Sequence, residues 1–189
     1  MSHDPTISAT ESALLVVDAQ TRLAPAIAGQ ERILRRIALL LDAAAALGVP
    51  VLASEQAPES LGPTVEALRA RLPAEAVLAK THFSCLRDAG FAARWQALGR
   101  RQAVVCGMEA HVCVAQTALD LAARGVQTFV VADAVGSRND DNRQTALHRF
   151  GLAGLVPVPA ESVVFEWLGD SGQPAFRDLI RRIKDEGSS

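Results

Sequence analysis

Six short apolar runs, separated by stretches of helical periodicity, limit what this chain can fold into more than any other feature. The first, Ala13-Leu14-Leu15-Val16-Val17, has no polar alternate position. Such a strand needs apolar neighbours on both faces, the environment of a parallel sheet held between helices. Runs of similar character follow at residues 49–53, 76–79, 103–106, 126–131 and 155–158. Between the first two, residues 30–47 place Ile33, Leu34, Ile37, Leu40, Leu41 and Ala44 on one helical face, and Gly48 caps it. Helices are also expected over 63–72 (opened by Pro63), 91–98, 112–124 (closed by Gly125) and 140–150. Residues 162–184 read as one or two more, broken around 169–174. Pro157 and Pro159 put the sixth strand at an edge. Right-handed crossovers then give a three-layer α/β/α doubly wound fold, with residues 1–189 as a single domain.

Ligands in such sheets bind at the carboxyl ends of the strands, where strand order reverses. Asp18, Glu55, Lys80, Glu109, Cys113 and Asp133 are all expected just beyond strands, so the distinctive chemistry gathers on one edge. The formal net charge is −2, with no basic run, which points away from nucleic acid and anionic membranes as partners. No apolar stretch reaches membrane-spanning length, and the first residues lack a charged start before an apolar run, so no leader is expected. Three cysteines without disulfide or zinc spacing suggest reduced thiols and a cytoplasmic setting.

Cys113 follows Ala103-Val104-Val105-Cys106-Gly107, read as a strand and a glycine turn, and opens a helix. Unpaired amides and the helix dipole there favour thiolate over thiol. The bland alternative is a small core residue on a helix. Asp18 is either a loop cap or a general base. Lys80 and Lys184 are the only lysines among 19 basic residues. Lys184 lies in a polar tail, whereas Lys80 ends an apolar run, either reaching solvent or supplying a point charge that an arginine fork cannot. Cys106 reads as core and Cys85 as packing. His111, two residues from Cys113, faces away from it on a helix. Asp133 could cap a loop.

Asp18, Lys80 and Cys113 in Gly107-Met108-Glu109-Ala110-His111-Val112-Cys113-Val114 together resemble the isochorismatase-like cysteine hydrolases, relatives of the nicotinamidases and N-carbamoylsarcosine amidohydrolases. The resemblance extends to Ser54-Glu55-Gln56, to Leu61-Gly62-Pro63-Thr64-Val65, to the segment from Val131 to Arg138, and to Val164-Phe165-Glu166-Trp167-Leu168-Gly169. It implies strand order 3-2-1-4-5-6 and an Asp18-Lys80-Cys113 catalytic triad. It also implies a cis peptide joining Met108 to Glu109, and an oxyanion hole made by the Glu109 and Cys113 backbone N–H groups. Ser54-Glu55-Gln56 replaces the Asp-x-His of the metal-binding nicotinamidases, so neither metal nor cofactor is expected. Isochorismatases proper need no cysteine nucleophile, and Cys113 instead implies acyl transfer through a thioester, cleaving a C–N bond of a small amide or related carbonyl compound. By position, Gln20, Leu23, Gln56 and Phe83 are candidates to line a pocket for a small, mostly neutral molecule. Family analogy implies a homo-oligomer. Two other classes stay open: a thiol-redox protein using Cys113, and a silent binding or scaffold member. In the implied order, Lys80 would start about 14 Å from Cys113 if it simply continued its strand, so the chain must bend back along the sheet edge.

Overall fold

β1 (Ser12–Val17) is buried at all six positions, and alternate residues enter different cores. Leu14 and Val16 pack on one face of the sheet, and Ala13, Leu15 and Val17 on the other. The computed structural model describes residues 6–187; the start of the chain at 1–5, read above for a leader, lies outside the described residues. After β1 come α1 (Gln30–Leu47), β2 (Val51–Gln56), two one-turn helices α2 (Pro58–Leu61) and α3 (Glu66–Arg69), β3 (Val77–Lys80), α4 (Ala89–Leu98) and β4 (Gln102–Met108). Then follow α5 (Ala115–Ala123), β5 (Gln127–Gly136), α6 (Asp140–Leu152), β6 (Val156–Val158), α7 (Ala160–Leu168) and α8 (Phe176–Gly187).

The six strands form one sheet in the order β3-β2-β1-β4-β5-β6, every neighbouring pair parallel. This is the expected doubly wound architecture. Ile33, Ile37 and Leu40 of α1, Val163 and Trp167 of α7, and Leu179 of α8 cover one face. Phe91 of α4, Ala118 and Leu121 of α5, and Phe150 of α6 cover the other. β6, three residues with Pro157 at its centre, is an edge strand. Among the described residues no helix is long and apolar enough to cross a membrane.

Local expectations shift in three places. Of the single helix expected over 63–72, only the one turn of α3 forms, because Thr64 leaves the helical path to bridge Gln20 in antiparallel fashion; α2 lies before that range. β2 and β5 run further than their apolar cores, so Ser54, Glu55 and Gln56 lie inside the sheet, and so does Asp133. Gly107 is not a turn: β4 continues through it to Met108, and the turn begins at Glu109.

Candidate active site

β1 and β4 are the neighbours at which the strand order reverses, so their carboxyl ends bound the crevice where doubly wound folds bind ligands. Register does the rest. Val17 stands opposite Ser54 of β2 and Gly107 of β4, which brings Asp18, Ser54 and the start of the Cys113 turn together. Asp18 is fully buried and has φ of 49°, a left-handed conformation that Asp tolerates better than most residues. Both of its carboxylate oxygens are engaged. The Ser54 hydroxyl donates to Oδ1 at 2.6 Å, and Lys80 Nζ donates to Oδ2 at 2.8 Å.

Lys80 is the last residue of β3, opposite Gln56 of β2. Its side chain passes over β2 to Asp18, and the following segment curls back so that the His82 and Phe83 carbonyls accept from Nζ at 3.2 and 3.3 Å. Gln56 Oε1 is a further acceptor at 2.7 Å. The bend anticipated for this segment is thus made by main-chain carbonyls wrapping a buried ammonium, 2% exposed. Burial is the largest single influence and opposes the Lys80 charge, but Asp18, Cys85 and Cys113 together outweigh it and the pKa is raised.

Cys113 sits in a π-helical turn, Ala110–Val114, where Val114 N–H donates to the Glu109 carbonyl at 3.3 Å. The Met108–Glu109 peptide is cis. The expectation of a thiolate is corrected: burial pushes the Cys113 thiol up, and the negative Asp18 adds to this, against a smaller opposing effect from Lys80. The amides and dipole of a helix opening were weighed as if in solvent, whereas the thiol is almost fully buried beside a carboxylate. Burial and the Asp18 carboxylate beside it thus both disfavour the thiolate.

Cys85, read as packing, lies beside the same cluster. Its thiol is within reach of the Ser54 and Thr117 hydroxyls, and burial together with Asp18 pushes it up to about 11. Cys106 is a core residue, its thiol donating to the Leu15 carbonyl at 3.6 Å. His111 Nδ1 pairs with the Ser137 hydroxyl at 2.9 Å, which ties the turn to the end of β5 rather than to Cys113. The Glu109 carboxylate accepts from the Arg138 N–H at 2.9 Å and from its Nε at 3.1 Å. Among the described residues the Glu109 backbone N–H meets no acceptor. Asp133 is a cap: Oδ1 accepts from Ala160 N at the start of α7, and Oδ2 pairs with Arg36 at 3.3 Å.

The four pocket candidates part ways. Gln20 is fully buried and spends its amide on the main chain, accepting from Gln56 N at 2.8 Å and donating to the Gly62 carbonyl at 2.6 Å. It therefore has no free group for a substrate, and Leu23 packs against the α1-side core. Gln56 supports Lys80. Phe83 holds Lys80 with its carbonyl, and the residue is 54% exposed. Ser54, which touches Asp18 directly, was noted in the sequence as part of the family resemblance and for standing where metal ligands are absent, with no role of its own. The available signal was its register, one strand over from the residue preceding Asp18. Among the described residues no three His, Cys, Asp or Glu side chains cluster as a metal site.

The sequence model of the isochorismatase domain matches residues 12–162, a span that contains Asp18, Lys80 and Cys113. The chain belongs to the isochorismatase family. It is similar to isochorismatase domain-containing protein 1 of Salmo salar, 39% identical over 167 residues that make up 88% of this chain and 59% of that protein. The chain thus spans about three fifths of that relative's length. Among solved structures it resembles the MAR1 ribonuclease of Caenorhabditis elegans, with a TM-score of 0.89, 33% identity, and coverage of 95% of this chain and 92% of that one. It also resembles the ycaC gene product of Escherichia coli, an octameric hydrolase of unknown specificity. There the TM-score is 0.92 at 25% identity, covering 100% of this chain and 96% of that one. The isochorismatase-family sheet, with its reversal between β1 and β4, is therefore the frame on which these side chains are mounted.

Proposed function

We propose that this isochorismatase-family protein is a cysteine hydrolase of small amides or related carbonyl compounds. The observation that carries the reading is the buried Asp18–Lys80 pair, 2.8 Å apart, with the Cys113 thiol within reach of the same carboxylate. Asp18 takes the thiol proton as Cys113 Sγ attacks the carbonyl carbon and the C=O π electrons move to oxygen. The Glu109 and Cys113 N–H groups face that oxyanion, and the Glu109 N–H has no acceptor of its own to give up. Lys80 offsets the negative charge that Asp18, Cys113 and the oxyanion share. Collapse of the tetrahedral species breaks the C–N bond, and Asp18 passes its proton to the departing amine. Water then adds to the thioester, giving its proton to Asp18. The C–S bond breaks, and Cys113 regains a proton as the acid leaves.

The substrate is a small molecule, neither metal nor cofactor enters a step, and the setting is a reducing cytoplasm, in keeping with three free cysteines. Self-association is part of the proposal, in line with the octamer formed by the Escherichia coli relative. The test is a panel of small amides, ureides and esters, with RNA included because the worm relative is named a ribonuclease, scored for release that depends on Cys113. Cys113→Ala and Asp18→Asn are expected to lose turnover while keeping the fold. Full activity of Cys113→Ala on a substrate the wild type cleaves would refute the mechanism. RNA as the one molecule cleaved would overturn the substrate class.

A further inference from the structure

Beneath the Asp18 carboxylate lie three side chains that the proposed chemistry does not use: Ser54, Cys85 and Thr117, exposed by 1%, 0% and 0%. A hydroxyl buried in an otherwise apolar strand costs free energy unless it is hydrogen-bonded, so the direction of each bond is informative. Ionised Asp18 can only accept, so the single Ser54 hydroxyl proton points to Oδ1, at 2.6 Å. That leaves the Ser54 oxygen free to accept from the Cys85 thiol, which is within reach and held protonated by burial. The turn carrying Cys85 is pinned in turn, its N–H donating to Thr117 Oγ1 at 3.0 Å.

Ser54 grips Asp18 twice. Its carbonyl accepts from the Asp18 N–H at 3.1 Å, while its hydroxyl holds Oδ1. With Lys80 on Oδ2 at 2.8 Å, both oxygens are tied and the carboxylate plane is held in one rotation. The charged and titratable groups facing Asp18 are then Lys80 from β3, Cys113 from the π turn and Cys85 from the turn before α4. We infer that Ser54 is a positioning residue whose hydroxyl fixes the rotation of the Asp18 carboxylate so that it faces the Cys113 thiol. The inference rests on the reading of Asp18 as the base.

The test follows alkylation of Cys113 by iodoacetamide across pH, the adduct located by peptide mass. The proteins compared are wild type, Ser54→Ala, Ser54→Thr, Asp18→Asn and Cys113→Ala, each checked for folding by thermal melting. Without the Ser54 hydroxyl the carboxylate is free to turn away from the thiol, held on Oδ2 alone by Lys80. Ser54→Ala is expected to slow Cys113 alkylation about tenfold near neutrality. Ser54→Thr restores the rate. Where Ser54→Ala does not fold, Ser54→Cys, which keeps the volume but weakens the donor, takes its place. A folded Ser54→Ala with the wild-type rate overturns the inference and leaves the role of Asp18 standing. So does a Ser54→Thr that behaves like Ser54→Ala. Wild-type alkylation in Asp18→Asn removes the base itself, and the inference falls with it.

Discussion

The two strands that frame the site leave no room for a side chain at Gly107, and replacing it with alanine tests whether that approach holds the site together. Gly107 has φ of 118°, and a Cβ built there would lie 2.0 Å from the Val17 carbonyl oxygen and 2.6 Å from the Val17 nitrogen. Comfortable non-bonded separations are about 3.5 Å, so β1 and β4 would have to part by about 1.5 Å, and neither contact is a side-chain end that can swing away. Forcing extra volume into a packed interior costs about 1–3 kcal/mol, and the positive φ adds about 1 kcal/mol. A total of about 3 kcal/mol lowers the melting temperature of a domain this size by about 6–12 °C. Gly48 is the control: its φ is 68°, and a Cβ there meets nothing within 4 Å. Gly48→Ala carries only the conformational cost, about 1 kcal/mol or 2–4 °C. Melting followed by circular dichroism, with urea midpoints, separates the two. Gly107→Ala melting within about 2 °C of Gly48→Ala would refute the packing argument. Because Val17 precedes Asp18, Gly107→Ala also lowers Cys113 alkylation, whereas Gly48→Ala does not.

Lys80→Met leaves Asp18 buried without its cation and is expected to cost about 3–5 kcal/mol in urea denaturation, most of it recovered by adding Asp18→Asn; a loss below about 1 kcal/mol would show that the site relaxes or hydrates instead. Because the folded pKa of Lys80 is raised above its ordinary 10.5, the stability it contributes holds at neutral pH and is lost as pH climbs through the raised value, so the gap between wild type and Lys80→Met narrows only in strong alkali. Thiolate absorbance in the ultraviolet is expected to be absent at neutral pH, with Cys85 appearing near about 11 and Cys113 later; a thiolate signal below about pH 8 would refute the protonated resting state.

The fold was legible because β1 and β4 are apolar at nearly every position, and only a sheet covered on both faces accommodates that pattern. The ends of elements were less legible. β2 runs on through Ser54-Glu55-Gln56 because parallel pairing with its neighbours holds polar residues in a strand that local composition would end, whereas β5 crosses an irregular stretch at Asp133 and resumes pairing with β4 at Val135. Asp18, Lys80 and Cys113 stood out by position and by the scarcity of lysine. The linkage between them did not, since the reach of Lys80 depends on the chain after β3 folding its carbonyls back onto Nζ. Cys85 was illegible for a similar reason: nothing in Thr81-His82-Phe83-Ser84-Cys85 says that the turn tucks a thiol under a strand two positions away. The charge state of Cys113 was misjudged because a sequence shows the helix opening and hides the desolvation.

That charge state also bears on which chemistry the site favours. Oxidation of a cysteine follows its thiolate fraction and its exposure, and sensing thiols are acidic and open to solvent. Cys113 is 7% exposed and pushed toward the thiol form, and Cys85 beside it is fully buried and pushed the same way. Such a pair reacts slowly with a diffusing oxidant that brings no help of its own. In the proposed reaction a carbonyl compound is different: as its carbon bonds to sulfur, the thiol proton would go to Asp18, and the new negative charge on oxygen would face the Glu109 N–H. The cost of making the thiolate is then met as the electrophile bonds to sulfur, and most fully where an oxyanion forms beside the N–H. On the proposed mechanism, a thiol that burial keeps from ionising suits acyl transfer better than redox sensing. A thiol of this kind should be quiet toward peroxide yet alkylated in a manner that depends on Asp18, and rapid oxidation of Cys113 by dilute peroxide would reverse that preference.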